Sequence, residues 1–430
     1  MKRTLTVVLV AAAALLLGGL AIGQAPVRIS FWHAMSGGLG ETLTELVGEF
    51  QRDNPGIQVE LLFQGRYGDL RQKLLAAIAS NTQPTMSQAY ENWQAQFIAA
   101  RAIVDLYELG FTRREAGDIH DLLIANNSWD EKLYGLPFNK SGFVMYYNRD
   151  ALARLGQTVP RTWEEAHRAA RLLTVDGQGR NATQSGFDRN DVKQYGMTLR
   201  PTTELFEYFF FSMGGELMTA DGRFQFNSPV GVQALTLLRD LVINERVAKI
   251  VDGFVSADIP ASGLGITFDT SAGRRFNEAA AGKAGFDLGL APLPAFRSGL
   301  EAGNGPIQGT NVVIYAGHPQ REQLAALRLV RFLVSDEVTA AWAIATNYLP
   351  VTKTVTQFDR DFRAYLAEDP SNSAALSQLI HGRFEPRMGE WDSIRFDLLG
   401  QAVTQVMRGQ AEPRAALDAA TQAANRAIAR

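Results

Sequence analysis

The chain has 430 residues, no cysteine, 20% charged residues and a formal net charge of −3. Disulfides, thiolate metal sites and a cysteine-linked lipid anchor are therefore excluded, and the slightly acidic balance is unlike that of a nucleic-acid binder. A chain this long exceeds what one hydrophobic core usually supports, so two domains are expected.

Residues 1–25 read as a secretory signal peptide. Lys2 and Arg3 precede an uncharged apolar run from Leu5 to Ile22, and Ala21, Gly23 and Ala25 stand at cleavage positions. An N-terminal membrane anchor is the competing reading, because the run approaches spanning length. The run is rich in alanine and glycine, however, and no polar stop-transfer flank follows it. Cleavage after Ala25 places Pro26 first, so cleavage after Gly23 stays open. Without Lys2 and Arg3 the net charge becomes −5, and no later apolar stretch is long enough to span a bilayer; a soluble exported protein is expected.

Val27 to Trp32 is β-prone and runs into the turn Ser36-Gly37-Gly38-Leu39-Gly40. Leu39, Leu43, Leu46, Val47 and Phe50 then recur at helical spacing, and Asp53-Asn54-Pro55-Gly56 stops that helix. Ile57, Val59, Leu61 and Phe63 alternate as a half-buried strand does, and Leu70, Leu74, Leu75 and Ile78 mark a second helix. This βαβα opening predicts a parallel sheet flanked by helices. Further on, Val144 to Tyr147, Gly263 to Phe268, Phe286 to Leu290 and Val312 to Tyr315 read as strands. Helices are expected around 161–174 and 229–248, and over most of the chain after 320. The Pro-rich stretch Ala291-Pro292-Leu293-Pro294-Ala295 is the best mid-chain candidate for a crossing between domains. No single boundary divides the chain cleanly, which points to lobes interleaved in sequence.

Catalytic and metal motifs are missing. His33, His120, His167, His318 and His381 are scattered without ligand spacing, and no G-x-S-x-G elbow, H-E-x-x-H pair or Walker loop occurs. Asp176-Gly177-Gln178-Gly179-Arg180 lacks the second acid and the twelfth-position glutamate of a calcium loop, so it reads as a turn. Asn181-Ala182-Thr183 matches a glycosylation sequon of the kind that arises readily by chance. No pair of carboxylates is singled out as a glycosidase pair, because their separation is a tertiary property.

What remains is a series of blocks. Phe31-Trp32-His33 with its Gly-rich helix start, and Phe50 through Asn54-Pro55-Gly56-Ile57, resemble the opening of family 1 extracellular solute-binding proteins. Pro137-Phe138-Asn139-Lys140-Ser141, running into Tyr146-Tyr147-Asn148-Arg149-Asp150, is similar to that family's first interlobe crossing, and Asn347-Tyr348-Leu349-Pro350-Val351 to its late Y-L-P segment. The order of the blocks covers nearly the whole chain after residue 25, and the nearest resemblance is to members that take up glycerol-3-phosphate. That resemblance implies ligand contacts at Tyr67 (in Gln64-Gly65-Arg66-Tyr67), Glu91 (after Tyr90), Ser141, Ser271 (in Thr270-Ser271-Ala272-Gly273), Gly309 (after Gln308) and Tyr348. It also makes Arg387, in Pro386-Arg387-Met388-Gly389, the phosphate-binding arginine. One departure stands out: the stretch from Leu199 to Phe206 holds no tryptophan where such members wall the ligand with them, which implies a wider pocket able to accept a glycerophosphodiester or a sugar.

Those residue types suit an oxygen-rich anion. Arginine meets a phosphate with a planar fork of donors, serine hydroxyls and a glycine N–H add more, and tyrosines offer both an apolar face and a hydroxyl. A carboxylate repels phosphate, so Glu91 is expected at the hydroxyl end. The resemblance implies an α/β fold of the two-lobed periplasmic-binding-protein type with the ligand in the cleft. Lobe I takes 26–138 and 297–334, and lobe II takes 139–291 and 336–430. The expected role is a monomeric, periplasmic, non-enzymatic receptor of an ABC importer, with no cofactor and no metal. Its partners are a small-molecule ligand and two permease subunits backed by an ATPase. A receptor for a neutral sugar such as a disaccharide is the alternative, and an exported hydrolase a third reading.

Overall fold

The computed structural model describes residues 25–297 and 299–429. The signal-peptide reading falls, apart from Ala25, outside the described residues. Strand β1 (Val27–His33) pairs in parallel with β2 (Ile57–Phe63), from Val27↔Ile57 to His33↔Phe63, through helix α1 (Gly38–Asp53). Leu43, Leu46, Val47 and Phe50 form the buried stripe of α1 that the helical spacing predicts, and the backbone N–H of Asn54 closes it on the Phe50 carbonyl. In β2 the alternation holds at Ile57 and Val59 and is lost by Phe63, which is exposed at the end of an edge strand. Helix α2 (Tyr67–Ser80) leads to β3 (Met86–Ala89), which pairs in parallel with β1.

The expected strand around Val144 is part of a much longer one, β4 (Leu136–Asn148), buried at every residue. β5 (Met197–Leu199), β6 (Ala248–Ile250), β7 (Ile266–Thr270), β8 (Leu288–Ala291), β9 (Gly305–Ile314) and β10 (Gly382–Arg383) complete the sheet. Among the described residues it has ten strands, ordered β6-β5-β7-β4-β9-β3-β1-β2, with β8 beside β4 and β10 beside β9. β4 is the strand the halves share. Its first part, Leu136 to Gly142, runs antiparallel to β9, and its second part, Phe143 to Asn148, pairs with β7 and β8.

Two large cores lie on either side of this shared strand. One gathers Phe31, Leu43, Phe50, Phe138, Ile314, Val338, Trp342, Tyr348 and Val351; the other gathers Phe143, Trp163, Phe206, Phe209, Leu238, Phe268, Trp391 and Val403. Each draws on separate stretches of chain, so the lobes are interleaved, as the sequence suggested. Helix α3 (Asp336–Thr346) packs into the first core through Val338 and Trp342, whose ring stacks 4.8 Å from Phe138. The Pro-rich stretch does not make the crossing. Ala295 exchanges backbone hydrogen bonds with Arg161 and Trp163 (2.8 and 2.9 Å) and Leu293 sits in the second core, so the chain returns only through β9. Asp176 accepts from the backbone N–H groups of Gln178, Arg180 and Asp188 (each 2.9 Å) and from Arg180 Nε at 3.0 Å; its carboxylate is used up in its own turn.

Candidate ligand-binding site

A cavity of about 480 Å³ lies where β4 and β9 pass between the cores. On the first-core side stand Tyr67, at the start of α2, Tyr90 and Tyr348. The Tyr67 hydroxyl accepts a hydrogen bond from Asn139 Nδ2 (2.8 Å) and its ring meets Tyr90 edge-on at 5.2 Å. Tyr348 follows a left-handed Asn347 (φ 62°) at the end of α3 and stacks 5.9 Å from Trp342. Burial pushes both phenols, Tyr67 and Tyr348, above the ordinary tyrosine range, so they stay neutral donors and acceptors. The floor is the crossing itself, with Ser141 paired to Gln308 and Gly309 to Lys140.

The facing wall comes from the second core and carries charge. Arg200 and Thr202 precede helix α4 (Thr203–Ser212), and Glu204 lies in its first turn. The Arg200 guanidinium sits 5.0 Å over the Phe254 ring and reaches Asp269 only at 3.5 Å. Burial raises the Asp269 carboxyl above its ordinary range. Phe254 and Phe276, more than 60% exposed, form the apolar rim. Behind Glu204 lies Arg395, which also touches Gln308 and Glu385. Burial opposes ionisation of Glu204, yet Arg395 beside it holds the carboxyl below the usual range. Glu385, also facing Arg395, is nonetheless pushed up by burial to about 7, and fully buried Glu207 rises well above its ordinary value for the same reason.

This cavity between two α/β cores combines the apolar rings of Tyr67, Tyr90, Phe254, Phe276 and Tyr348 with a few charged and hydroxyl groups, the make-up of a small-molecule binding site. A family model described as bacterial extracellular solute-binding protein matches residues 45–372. The chain belongs to this family. The sn-glycerol-3-phosphate-binding periplasmic protein UgpB of Escherichia coli K12 is 25% identical to it over 437 residues, covering 97% of each chain. UgpB from Mycobacterium tuberculosis, solved in complex with glycerophosphocholine, superposes with a TM-score of 0.79 at 20% identity, over 95% of this chain and 99% of that one. The GacH receptor of Streptomyces glaucescens, solved unliganded and with acarbose, superposes at 0.75 with 18% identity, over 92% and 97%. The two-lobed fold is shared throughout. As an extracellular solute-binding protein the chain works outside the cytoplasm, and among the described residues no helix is long and apolar enough to cross a membrane.

Within this solute-binding protein the residues expected to touch ligand fall into two groups. Tyr67, Ser141, Gly309 and Tyr348 line the cavity together. Glu91, Ser271 and Arg387 are not among its lining residues. Glu91 is paired with the buried Lys140 ammonium. Ser271 lies just behind the wall, 1% exposed, between the lining residues Thr270 and Ala272, and its Oγ has no hydrogen-bond partner. Arg387 donates from Nη1 to the carbonyls of Ala125, Asn126 and Ser128 (3.0, 3.3 and 2.7 Å) and lies 4.4 Å over the Trp129 ring. Sequence reading missed Arg200, Glu204 and Asp269. A signal existed for the first two: they fall in the stretch where tryptophans were absent, immediately before a run of buried aromatics.

Proposed function

We propose that this solute-binding subunit of an ABC importer captures a glycerophosphodiester, with the phosphate taken by Arg200. The observation that carries the reading is Arg200 itself. Among the described residues lining the cavity it is the one cationic side chain, and it meets Asp269 through Nη1 alone, at 3.5 Å, which leaves further donors of its fork to offer a ligand. Two neighbouring carboxylates make the wall a poor host for a phosphate monoester dianion, whereas a diester carries a single charge and brings a second group to fill a cavity of this size. Tyr67, Ser141 and Tyr348 supply hydroxyls and Gly309 backbone to the glycerol end, and the unpaired Ser271 Oγ is a further donor the ligand can claim. Glu91 and Arg387 reach the ligand only if closure exchanges their present partners. The lobes close by a hinge in the β4–β9 crossing and present the loaded form to two permease subunits. The protein acts as a monomer in the periplasm after loss of residues 1–25, without a lipid anchor, cofactor or catalytic turnover.

A neutral sugar is the second reading, favoured by the exposed Phe254 and Phe276 rings and by Glu204 and Asp269 as acceptors for hydroxyl pairs. Calorimetric titration with glycerol-3-phosphate, glycerophosphocholine, maltose and trehalose separates the two. Glycerophosphocholine is expected to bind, and Arg200→Ala to weaken it by roughly 10- to 150-fold, the worth of hydrogen bonds to a charged group. Arg387→Ala is expected to change affinity by less than about threefold, since its guanidinium is spent on carbonyls. Maltose binding indifferent to Arg200 overturns the phosphodiester, and loss of binding only in Arg387→Ala returns the anion site to that residue.

A further inference from the structure

We infer that Asp392 is a latch between the two lobes: a second-lobe carboxylate gripped by three side chains of the first lobe, which sets how firmly a ligand is held without touching it. For its effect on affinity this role rests on the reading of the cavity as the ligand site, and Asp392 is not among the residues lining that cavity. Its neighbour Trp391 is 1% exposed in the second core, with its ring stacked 5.9 Å from Phe224. Asp392 faces the other way. Its Oδ1 accepts from Asn92 Nδ2 at 2.8 Å, its Oδ2 accepts from Trp93 Nε1 at 2.9 Å, and Arg71 Nε lies 3.3 Å from Oδ2. Arg71 stands on α2, and Asn92 and Trp93 in the first turn of the helix Glu91–Ala99; the Trp93 ring packs with Leu70, Leu74 and Ala89 of the first lobe. Two consecutive residues are thus bound to opposite lobes.

Because Trp391 anchors it to the second core, Asp392 has to leave all three partners when the lobes swing apart. The grip is a strong one. Both carboxylate oxygens are engaged, hydrogen bonds to an ionised acceptor exceed neutral ones, and the first turn of a helix favours a negative charge. Asn92 and Trp93 are 5% and 2% exposed, and among the described residues neither side-chain donor has another acceptor. The chain just before Asp392 lies along the same face: Arg71 Nη2 donates to the Gly389 carbonyl at 3.3 Å and to Gln96 Oε1 at 3.2 Å. A second contact joins the helix Arg274–Ala284 to α3, where Arg275 Nη1 donates to the Ala345 carbonyl at 2.9 Å. That bond is exposed and goes to a neutral acceptor, so water replaces it at little cost. A ligand held by both lobes binds the closed form, and its apparent affinity scales with the fraction of protein that is closed. Loss of the latch therefore lowers the closed fraction and the affinity by the same factor.

The chain has no cysteine, so spin labels at Gln72→Cys on α2 and Gln401→Cys, beside Ala402 and Val403 of the second core, report the lobe separation by double electron–electron resonance without ligand. Asp392→Asn, Arg71→Met, their double variant and Arg275→Ala are compared with the parent protein, with thermal melts establishing that each is folded. The closed fraction is expected to fall about tenfold in Asp392→Asn, no further in the double variant, and less than about threefold in Arg275→Ala. Identical distance distributions in the parent and Asp392→Asn overturn the proposal. In calorimetry with glycerophosphocholine and with maltose, whichever compound binds is expected to lose the same factor of about ten in Asp392→Asn, through faster dissociation. A loss of affinity with unchanged lobe separation makes Asp392 a residue that shapes the cavity and also overturns the latch. If the parent protein binds neither compound, the ligand reading fails, and the label distances still decide the role of Asp392.

Discussion

Glu91→Ala is expected to destabilise the protein by about 3–5 kcal/mol, the usual effect of stripping one partner from a buried ion pair. Lys140 is 1% exposed, and its ammonium has two partners, the Glu91 carboxylate and the Gly309 carbonyl at 2.9 Å. Burial already holds the Lys140 pKa below the ordinary lysine range, and Glu91 opposes that shift. Without Glu91 the lysine falls further. A lysine whose folded pKa lies below its unfolded one binds fewer protons folded than unfolded between those two values, so stability rises with pH across that window. The window reaches lower in Glu91→Ala than in the wild type. The gap between the two proteins is therefore expected to be widest at acidic to neutral pH and to narrow as pH is raised toward 10. Urea denaturation followed by tryptophan fluorescence from pH 6 to 10 measures it. A loss below about 1 kcal/mol, or a gap that widens with pH, removes the buried-ammonium account.

How far the sequence reveals this architecture depends on which residues face water. The first β-α-β unit was readable almost to the residue, because α1 has one wet face and Asn54-Pro55-Gly56 ends it abruptly. Strand β4 was recognised only over its last few residues. Buried at every position, it has no alternation of apolar and polar side chains, and its first half is spelled with Pro137, Asn139, Lys140 and Ser141. Those polar residues serve the crossing: Asn139 Oδ1 accepts from Gln88 Nε2 at 2.9 Å and from Thr310 Oγ1 at 2.5 Å, partners far away in sequence.

The site was legible to the same limited degree. Motif order led to Tyr67, Ser141, Gly309 and Tyr348, which the fold brings to one cavity. It could not foresee that Glu91 is paired with Lys140, or that Arg387 folds back on the carbonyls after Leu123, since both depend on neighbours from other parts of the chain. The Arg395 cluster left one trace in sequence. Glu207 is a lone acid inside the run Leu205-Phe206-Glu207-Tyr208-Phe209-Phe210-Phe211, and a carboxyl in so apolar a helix must find a partner or a proton.

Gly309→Ala is expected to cost about 4 kcal/mol or more and to abolish binding in whatever protein still folds. Gly309 has φ +98°, a conformation that side chains rarely adopt, and a Cβ built there falls 1.9 Å from the Asn139 carbonyl oxygen and 3.0 Å from Lys140 Cα. Both obstacles are backbone of the partner strand, so no rotamer change relieves the clash. The strand would have to part from β4 at the pair Gly309↔Lys140, next to the register shift at Thr310/Asn311. Parting also withdraws the Gly309 carbonyl from Lys140 Nζ and moves Gln308 and Ser141, so the same methyl strikes the cavity floor and the buried ion pair together. Gly282→Ala is the matched control. A Cβ there meets nothing within 4 Å inside the helix Arg274–Ala284, where alanine is favoured over glycine by roughly 0.5–1 kcal/mol. Thermal melts and calorimetry on both variants separate a penalty specific to the crossing from any general effect of an added methyl. A Gly309→Ala protein with unchanged melting and affinity would mean that the two crossing strands do not pair this closely at the cavity floor.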